Sequence, residues 1–231
     1  MSQKTLLVVG AHHDDCEYAA CGLILKAVKK NWRVVLATLA GDHSSWKATM
    51  GREQVIRAGL LKIAKEMGVE KRFYDWGYHD IYYNLKGVNV ITELALELKP
   101  QMALIHWQYD YWPDHEAAGK LSKHAFWFPP PEFVKKGSEN VPQLLAFEAG
   151  PNQSDPAVQF RPDVYVDISD EINEAARVIH RLDELTSGKS CDNETCHEID
   201  KRAKARLRGS ECACSYAEAF VSLKKTPQDI L

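Results

Sequence analysis

Short apolar runs alternate along this chain with longer segments whose apolar residues recur at helical spacing. A continuous apolar run such as Leu6–Gly10 is typical of a strand that is covered on both faces, as in a parallel sheet. Strands are predicted at Leu6–Gly10, Val34–Leu39, Arg72–Tyr74, Met102–His106, Leu144–Glu148 and Val164–Ile168. Helices are predicted over Ala19–Val28, Glu53–Met67 and Val90–Leu98, from near Asp114, and over Asp170–Leu185 and Cys214–Leu223.

Repeated strand–helix–strand units with short connections predict an α/β fold. We expect a Rossmann-like, doubly wound and mostly parallel sheet with helices on both faces. Periodic structure resumes after every proline-rich or glycine-rich stretch, so we interpret residues 1–231 as a single domain.

Composition and charge narrow the class of protein. The 231 residues carry 29 Lys and Arg against 32 Asp and Glu, a net charge of −3, and 45% of them are hydrophobic. This balance favours a buried core and disfavours disorder or a nucleic-acid-binding protein. Every apolar stretch is shorter than the ~18 residues that cross a membrane, and no export signal is apparent. We therefore expect a cytoplasmic protein that binds neither nucleic acid nor membrane; a homo-oligomer is compatible with this composition.

Titratable side chains crowd the segment Ala11–Glu17, which follows the first predicted strand. Ligands of open parallel sheets bind beyond the carboxyl ends of the strands. His12 and Asp15, three residues apart on a turn that enters a helix, can converge on one cation and leave Asp14 to face whatever that cation binds. The alternative is that Asp14 or Asp15 only caps the helix. The segment lacks the glycine-rich loop of a dinucleotide-binding protein.

A second cluster follows the fourth predicted strand. Pro113 and the acidic residues after it predict a helix that begins near Asp114 and carries His115 in its first turn. His12, Asp15 and His115 would provide three nitrogen or oxygen ligands. A fourth position left to water is typical of a catalytic rather than a structural zinc site.

Four segments, in order along the chain, carry a family resemblance. AHHDDCE (residues 11–17), followed by ACG, resembles the A-H-P-D-D-x-E…G-G signature of the PIG-L/LmbE-like deacetylases. YWPDHEAAG (111–119) resembles their H-P-D-H-x-A-A-G segment. VYVDISDEINEAARVIH (164–180) and SYAEAF (215–220) are similar to two later segments of the family, so the resemblance spans most of the chain.

The resemblance implies a zinc-dependent hydrolase that removes the acetyl group from an N-acetylglucosamine-type amino-sugar conjugate. Carried over position by position, His12, Asp15 and His115 match the zinc ligands and Asp14 matches the general base. Zinc lowers the pKa of bound water from 15.7 to about 7, so a neighbouring carboxylate can take its proton at neutral pH.

Two positions depart from the family pattern. His13 stands where the family has proline, and Trp112 stands where it has the first histidine of H-P-D-H. In the family that this chain resembles, that histidine is associated with oxyanion stabilisation or proton donation. Tryptophan is not an acid, although its indole N–H donates hydrogen bonds. His106, Tyr109 and Tyr111 are local candidates to replace it. Because of Trp112, a catalytically silent protein that binds zinc and sugar remains an alternative.

Three residues are predicted to contact the substrate. Asp80 resembles an aspartate of the family's sugar-binding loop, and the alternative is an ordinary turn aspartate. Arg52 could meet an anionic aglycone, and the alternative is a solvated helix face. Tyr109 lies beside the second motif. The identity of the acyl group is not determined, so an amidase acting on a thiol-sugar conjugate is a further alternative. The loops near Trp46, Tyr78 and Trp127 would decide between them.

The last third of the chain holds features that the metal site does not use. Cys191, Cys196, Cys212 and Cys214 could form a second zinc site or remain free thiols, since their spacing does not fit the usual C-x₂-C pairs. Lys201–Arg208 carries five basic residues, which we interpret as a solvated helix face; the alternative is a segment that attracts an anionic substrate or RNA. His180 matches a late histidine of the family.

Overall fold

A computed structural model describes residues 3–42, 44–47, 49–134, 142–150 and 157–223. Within these residues one sheet runs through the fold, with strands in the order β3-β2-β1-β4-β5-β7-β6. The strands are β1 (Thr5–Gly10), β2 (Arg33–Thr38), β3 (Glu70–Phe73), β4 (Met102–His106), β5 (Gln143–Phe147), β6 (Val164–Asp167) and β7 (Ala217–Ser222). The helices are α1 (Asp15–Lys29), α2 (Glu53–Met67), α3 (Leu85–Leu98), α4 (Pro113–Trp127), α5 (Pro131–Val134), α6 (Ile172–Ser187) and α7 (Cys196–Glu211).

The sheet is parallel except at β7, which pairs antiparallel with both β5 and β6. Both faces of the sheet are buried. On β1, Leu6 and Val8 contact the cluster formed with α1, α2 and α6, whereas Leu7 and Val9 contact the cluster formed with α3 and α4. The predicted α/β class, with helices on both faces of a mostly parallel sheet, is confirmed.

One predicted element is wrong. Cys214–Leu223 was expected to form a helix, but Ala217–Ser222 is strand β7. Alanine and glutamate are good helix formers, but helix propensity is a weak preference, and pairing with two neighbouring strands overrides it. Phe220, fully buried, packs in the core cluster on the α1 side of the sheet.

Helix α1 is broken at Ala20, where φ is −136° and ψ is 25°. The Glu218 carboxylate accepts hydrogen bonds from the backbone N–H groups of Gly22 and Leu23 after the break, each at 2.8 Å. Lys201 Nζ donates to the carbonyls of the two residues before Ala20 and to Glu218. The predicted solvated face of α7 is therefore wrong at Lys201, which is buried in an ion pair that satisfies both halves of the broken helix.

The sequence order of the strands reverses between β1 and β4, whose neighbours lead away in opposite directions across the sheet. In sheets of this kind a crevice opens beyond the carboxyl ends of the two strands at that point. The segments after β1 and β4 are the two that carry the titratable clusters. No helix in the described parts of the chain is long and apolar enough to span a membrane.

We expect Lys201→Met to lower the free energy of unfolding by about 3–5 kcal/mol, because it leaves the Glu218 carboxylate buried without its cation. Urea denaturation measures the change. The double variant Lys201→Met/Glu218→Gln should recover part of the lost free energy of unfolding, because the glutamine amide oxygen still accepts a hydrogen bond from one backbone N–H. A loss below about 1 kcal/mol, the value of an exposed pair, would contradict a structural role for this ion pair.

Candidate active site

A buried lysine on strand β3 hydrogen-bonds to the turn between β1 and α1 and stabilises it. Lys71 Nζ, on β3, donates to the His13 carbonyl and to Glu17 Oε1, both at 2.6 Å. The side chains of Lys71 and Glu17 are 0% and 1% exposed. Asp14 is the N-cap residue of α1, yet its side chain caps no backbone N–H. The capping interpretation of Asp14 therefore does not describe this turn, and its carboxylate is available to the cleft.

Helix α4 brings the second cluster to the same place. It begins at Pro113, whose fixed φ and missing N–H suit a first helical position. A Cβ on Gly119 would lie 2.7 Å from the His106 carbonyl oxygen, so glycine permits α4 to pack closely over the end of β4. This approach sets His115, one turn earlier, beside the β1–α1 turn.

His12, Asp15 and His115 converge as the sequence predicts. His12 Nδ1 lies 3.1 Å from His115 Nε2, and these nitrogens lie 3.6 Å and 3.4 Å from the Asp15 carboxylate oxygens. All three side chains are buried, and their ligand atoms lie within 4.8 Å of one another. Two nitrogens on one tetrahedral zinc ion would be about 3.3 Å apart, given Zn–N bonds of about 2.05 Å.

The outer nitrogens of both imidazoles face carboxylates. Asp114 Oδ2 lies 2.9 Å from His12 Nε2, and Asp110 Oδ2 lies 3.1 Å from His115 Nδ1. With those outer nitrogens as donors, the inner nitrogens of His12 and His115 both present lone pairs, which repel at 3.1 Å unless a positive charge lies between them. Carboxylates behind histidine ligands are typical of metal sites. The donor set therefore fits a divalent cation.

Asp15 contributes the negative charge of this set. It is buried, but His115, His106 and His12 surround it and hold its pKa well below its usual range. Burial also disfavours a charged His115, yet the Asp15 and Asp110 carboxylates raise the pKa of His115 to about 10. The same carboxylates that hold a proton on His115 would attract a metal cation.

Asp14 differs from its neighbour Asp15. Burial and the adjacent Asp15 charge raise the pKa of Asp14 to about 6, which suits a group that exchanges protons near neutral pH. His13 Nε2 lies 3.4 Å from Asp14 Oδ2 and 3.2 Å from the Thr186 hydroxyl. Burial lowers the pKa of His13 to about 3, so this ring is neutral.

A cleft of about 320 Å³ opens over the ligand set. One wall is aromatic: Tyr78 stacks on His12 at 4.0 Å between ring centroids, and Trp46 stacks on Tyr78 at 5.1 Å. Trp112 also lines the cleft, and its buried indole N–H has no hydrogen-bond partner among the described residues. A polar wall comes from α7 (His197, Asp200, Lys201 and Lys204).

The residues predicted to contact substrate are not brought into this cleft. Asp80 is exposed in a turn just after the cleft residues Tyr78 and His79. Arg52 donates to the carbonyls of Leu185 and Thr186 at the end of α6. Its guanidinium therefore stabilises a helix C-terminus.

The remaining candidates also lie outside the cleft lining. Tyr109 is 39% exposed and packs edge-on against Trp107. His180 hydrogen-bonds Glu198 at 3.0 Å and is not among the described cleft residues. In the described parts of the chain, two groups could hold a metal ion, and neither includes a cysteine: His12, Asp15 and His115, and His106, Asp110 and His115.

The polar wall from α7 is the part of the cleft that sequence reasoning missed. His197, Lys201 and Lys204 recur at intervals of four and three residues, so they share one face of the helix. That spacing was a usable signal. A polar face that lines a cleft, however, has the same residue pattern as a polar face in solvent, and only packing against α1 and α6 distinguishes the two.

Solved structures with the same fold include proteins of different activity. GalB, the 4-carboxy-2-hydroxymuconate hydratase from Pseudomonas putida KT2440, is 20% identical, with a TM-score of 0.79 over 99% of this chain and 100% of that chain. N,N'-diacetylchitobiose deacetylase from Pyrococcus horikoshii is 17% identical, with a TM-score of 0.74 over 94% of this chain and 82% of that chain. Teicoplanin deacetylase Orf2, in a zinc-inhibited form, is 13% identical, with a TM-score of 0.69 over 96% of this chain and 100% of that chain.

At these identities the structures establish the shared fold, and a family model establishes more. The model for PIG-L, described as GlcNAc-PI de-N-acetylase, matches residues 7–126, just over half of the chain. That range contains both titratable clusters and the whole ligand set. The chain therefore belongs to the PIG-L family, which confirms the resemblance carried by its motifs.

Proposed function

We propose that this protein is a zinc-dependent N-deacetylase that acts on an N-acetylglucosamine-type amino-sugar conjugate. The observation that carries the proposal is the cation-binding geometry of His12, Asp15 and His115, with Asp14 beside it at the floor of the cleft. Membership of the PIG-L family and a fold shared with two deacetylases support it. The aromatic wall of Trp46 and Tyr78 offers flat apolar surface for a sugar ring or an acyl group.

The chemistry requires a water molecule, a base and a proton for the departing amine. Zinc held by the three ligands would act as a Lewis acid that lowers the pKa of water and polarises the acetyl carbonyl. As the oxygen of the attacking water bonds to the carbonyl carbon, Asp14 takes a proton from that water. The carbon–nitrogen bond then breaks, the amine nitrogen gains a proton, and acetate leaves.

Trp112 has a definite place in this scheme. Its ring centroid lies 6.4 Å from that of His12 and 6.1 Å from that of His115, at the edge of the ligand set. The unpartnered indole N–H can donate a hydrogen bond to the oxygen that becomes negative when water attacks. Trp112 would therefore retain the oxyanion-stabilising half of the missing histidine's role, without its acidity.

A second candidate is hydration of a carbon–carbon double bond in a carboxylate substrate. The fold of the hydratase GalB agrees with this chain over its whole length. Lys204 supplies a cation to the cleft: its Nζ donates to the Glu148 carbonyl at 2.9 Å, and burial lowers its pKa to about 8. Assays for amine release and for loss of a conjugated double bond separate the two reactions.

Asp14→Asn should lower kcat for amine release from N-acetylglucosamine by about 10²–10⁴-fold, because asparagine keeps the shape but cannot accept the proton. Metal content, measured by elemental analysis, should stay at the wild-type level. Glu116→Gln, on the exposed face of α4, is the matched control and should retain activity. Full activity of Asp14→Asn would refute the base assignment, and no turnover by the metal-loaded wild type would favour a silent binding protein.

Asp114→Asn should weaken zinc affinity by about 10–100-fold, because the His12 ring loses the carboxylate that orients it. Competition with a chromophoric chelator measures the affinity. Asp114 also accepts hydrogen bonds from backbone N–H groups of the neighbouring loop, so its substitution affects that loop as well. Asp110→Asn, behind His115, therefore serves as an independent second variant. Asp80→Asn, in the same loop but outside the ligand set, should bind zinc normally. Unchanged affinity in both test variants would contradict the proposed metal centre.

Trp112→Phe should lower kcat by about 10²-fold with little change in KM, because it removes one donor to the developing oxyanion while keeping an aromatic ring. Trp112→His restores a donor at this position and should retain more activity than the phenylalanine variant. Steady-state kinetics on the same substrate measures both. Wild-type kcat in Trp112→Phe would rule out a role for the indole N–H.

A further inference from the structure

A histidine on α7, His197, lines the same cleft as the ligand set. His197 Nδ1 lies 2.7 Å from Asp183 Oδ1, on α6. The Tyr18 hydroxyl, on α1, donates to the same carboxylate oxygen at 2.6 Å, and the Tyr18 and His197 rings stack at 4.7 Å. Three helices therefore fix the orientation of one imidazole in the cleft wall.

This arrangement leaves one end of the ring available. Because Asp183 occupies Nδ1, the other ring nitrogen, Nε2, is the group that His197 can offer to a bound molecule. The Asp183 side chain is only 13% exposed, whereas His197 is 56% exposed and can exchange protons with solvent. A histidine held by a carboxylate at one nitrogen and free at the other is suited to proton transfer.

The charges around His197 favour its protonated form. The hydrogen bond to Asp183 is the main cause of its raised pKa, and the Asp183, Asp14 and Asp200 carboxylates add to it. Asp14 and His197 both line the cleft. Among the described residues, the other titratable groups of this wall are Tyr18, from α1, and Lys201 and Lys204, from α7.

We propose that His197 is the proton donor to the departing amine. As the carbon–nitrogen bond breaks, its electron pair goes to nitrogen, which takes the proton from His197 Nε2; the neutral ring then regains a proton from solvent water. The inference rests on the proposed amide hydrolysis and assigns a step that Trp112 cannot perform. It also separates the tasks in space, with the base on the β1–α1 turn and the acid on α7.

The identity of the leaving group tests this assignment. An amine needs a proton in order to leave, whereas the p-nitrophenolate of p-nitrophenyl acetate leaves without one. His197→Gln should therefore lower kcat for N-acetylglucosamine by about 10²–10⁴-fold and leave hydrolysis of the aryl ester close to the wild-type rate. His180→Gln, the matched control on α6, should leave both activities unchanged.

Asp183→Asn supplies a second, independent variant. It removes the charge that supports the imidazolium, so the alkaline limb of the amide kcat profile should move to lower pH. An NMR titration of the His197 ring should show its pKa falling in the same variant.

The possible outcomes are separable. Equal losses on amide and ester in His197→Gln would indicate a structural role and overturn the inference, as would full amide activity. If the wild-type protein hydrolyses neither substrate, the proposed function fails, and the inference fails with it. If the wild type hydrolyses both and the variant loses only the amide, His197 is the donor.

Discussion

The buried Asp15 carboxylate is surrounded by imidazole rings, and these rings stabilise it as an anion. His12, His106 and His115 all lie within 3.6 Å of its oxygens. An isolated buried carboxylate would take up a proton, because burial disfavours its charge. The imidazoles prevent that, and the lone pairs that His12 and His115 turn inward require a positive charge between them. The site is therefore complete only with a cation, whether a proton or a metal ion.

Ion pairs deeper in the fold keep the elements around this centre in place. Lys71 and Glu17 fix the β1–α1 turn from the sheet side. Lys201 and Glu218 fill the break in α1 from the side of α7 and β7. A pair with both charges buried contributes little net stability relative to apolar residues, but it penalises any arrangement in which one partner is lost. These pairs consequently specify where α1 and α7 sit, and α1 and α7 form the floor and one wall of the cleft.

The two walls of the cleft differ in chemistry. Tyr78 and Trp46 present stacked rings beside His12, whereas α7 presents His197 and Lys204. An apolar face on one side and proton-bearing groups on the other would hold a ligand in a single orientation across the metal centre. Trp112 belongs to the aromatic side, which explains how a tryptophan is accommodated where the family motif has a histidine. The group that we propose to supply the acidity lost at that position, His197, lies on a different helix.

Local sequence determined the parallel strands and the placing of His12 and Asp15 on one turn. The apolar run of β1 predicts a strand buried on both faces, and the spacing of His12 and Asp15 allows convergence within one turn, so short-range geometry suffices. Ala217–Ser222 became a strand because β5 and β6 flank it, a long-range condition that overrides weak helix preference. Arg52 hydrogen-bonds to the end of α6. His197 is oriented in the cleft wall by a hydrogen bond with Asp183, a residue 14 positions away on another helix. Helical spacing places His197 on one face with Lys201 and Lys204, but a polar face in a cleft and one in solvent look alike in sequence. The roles of Arg52 and His197 were decided only when distant helices packed together.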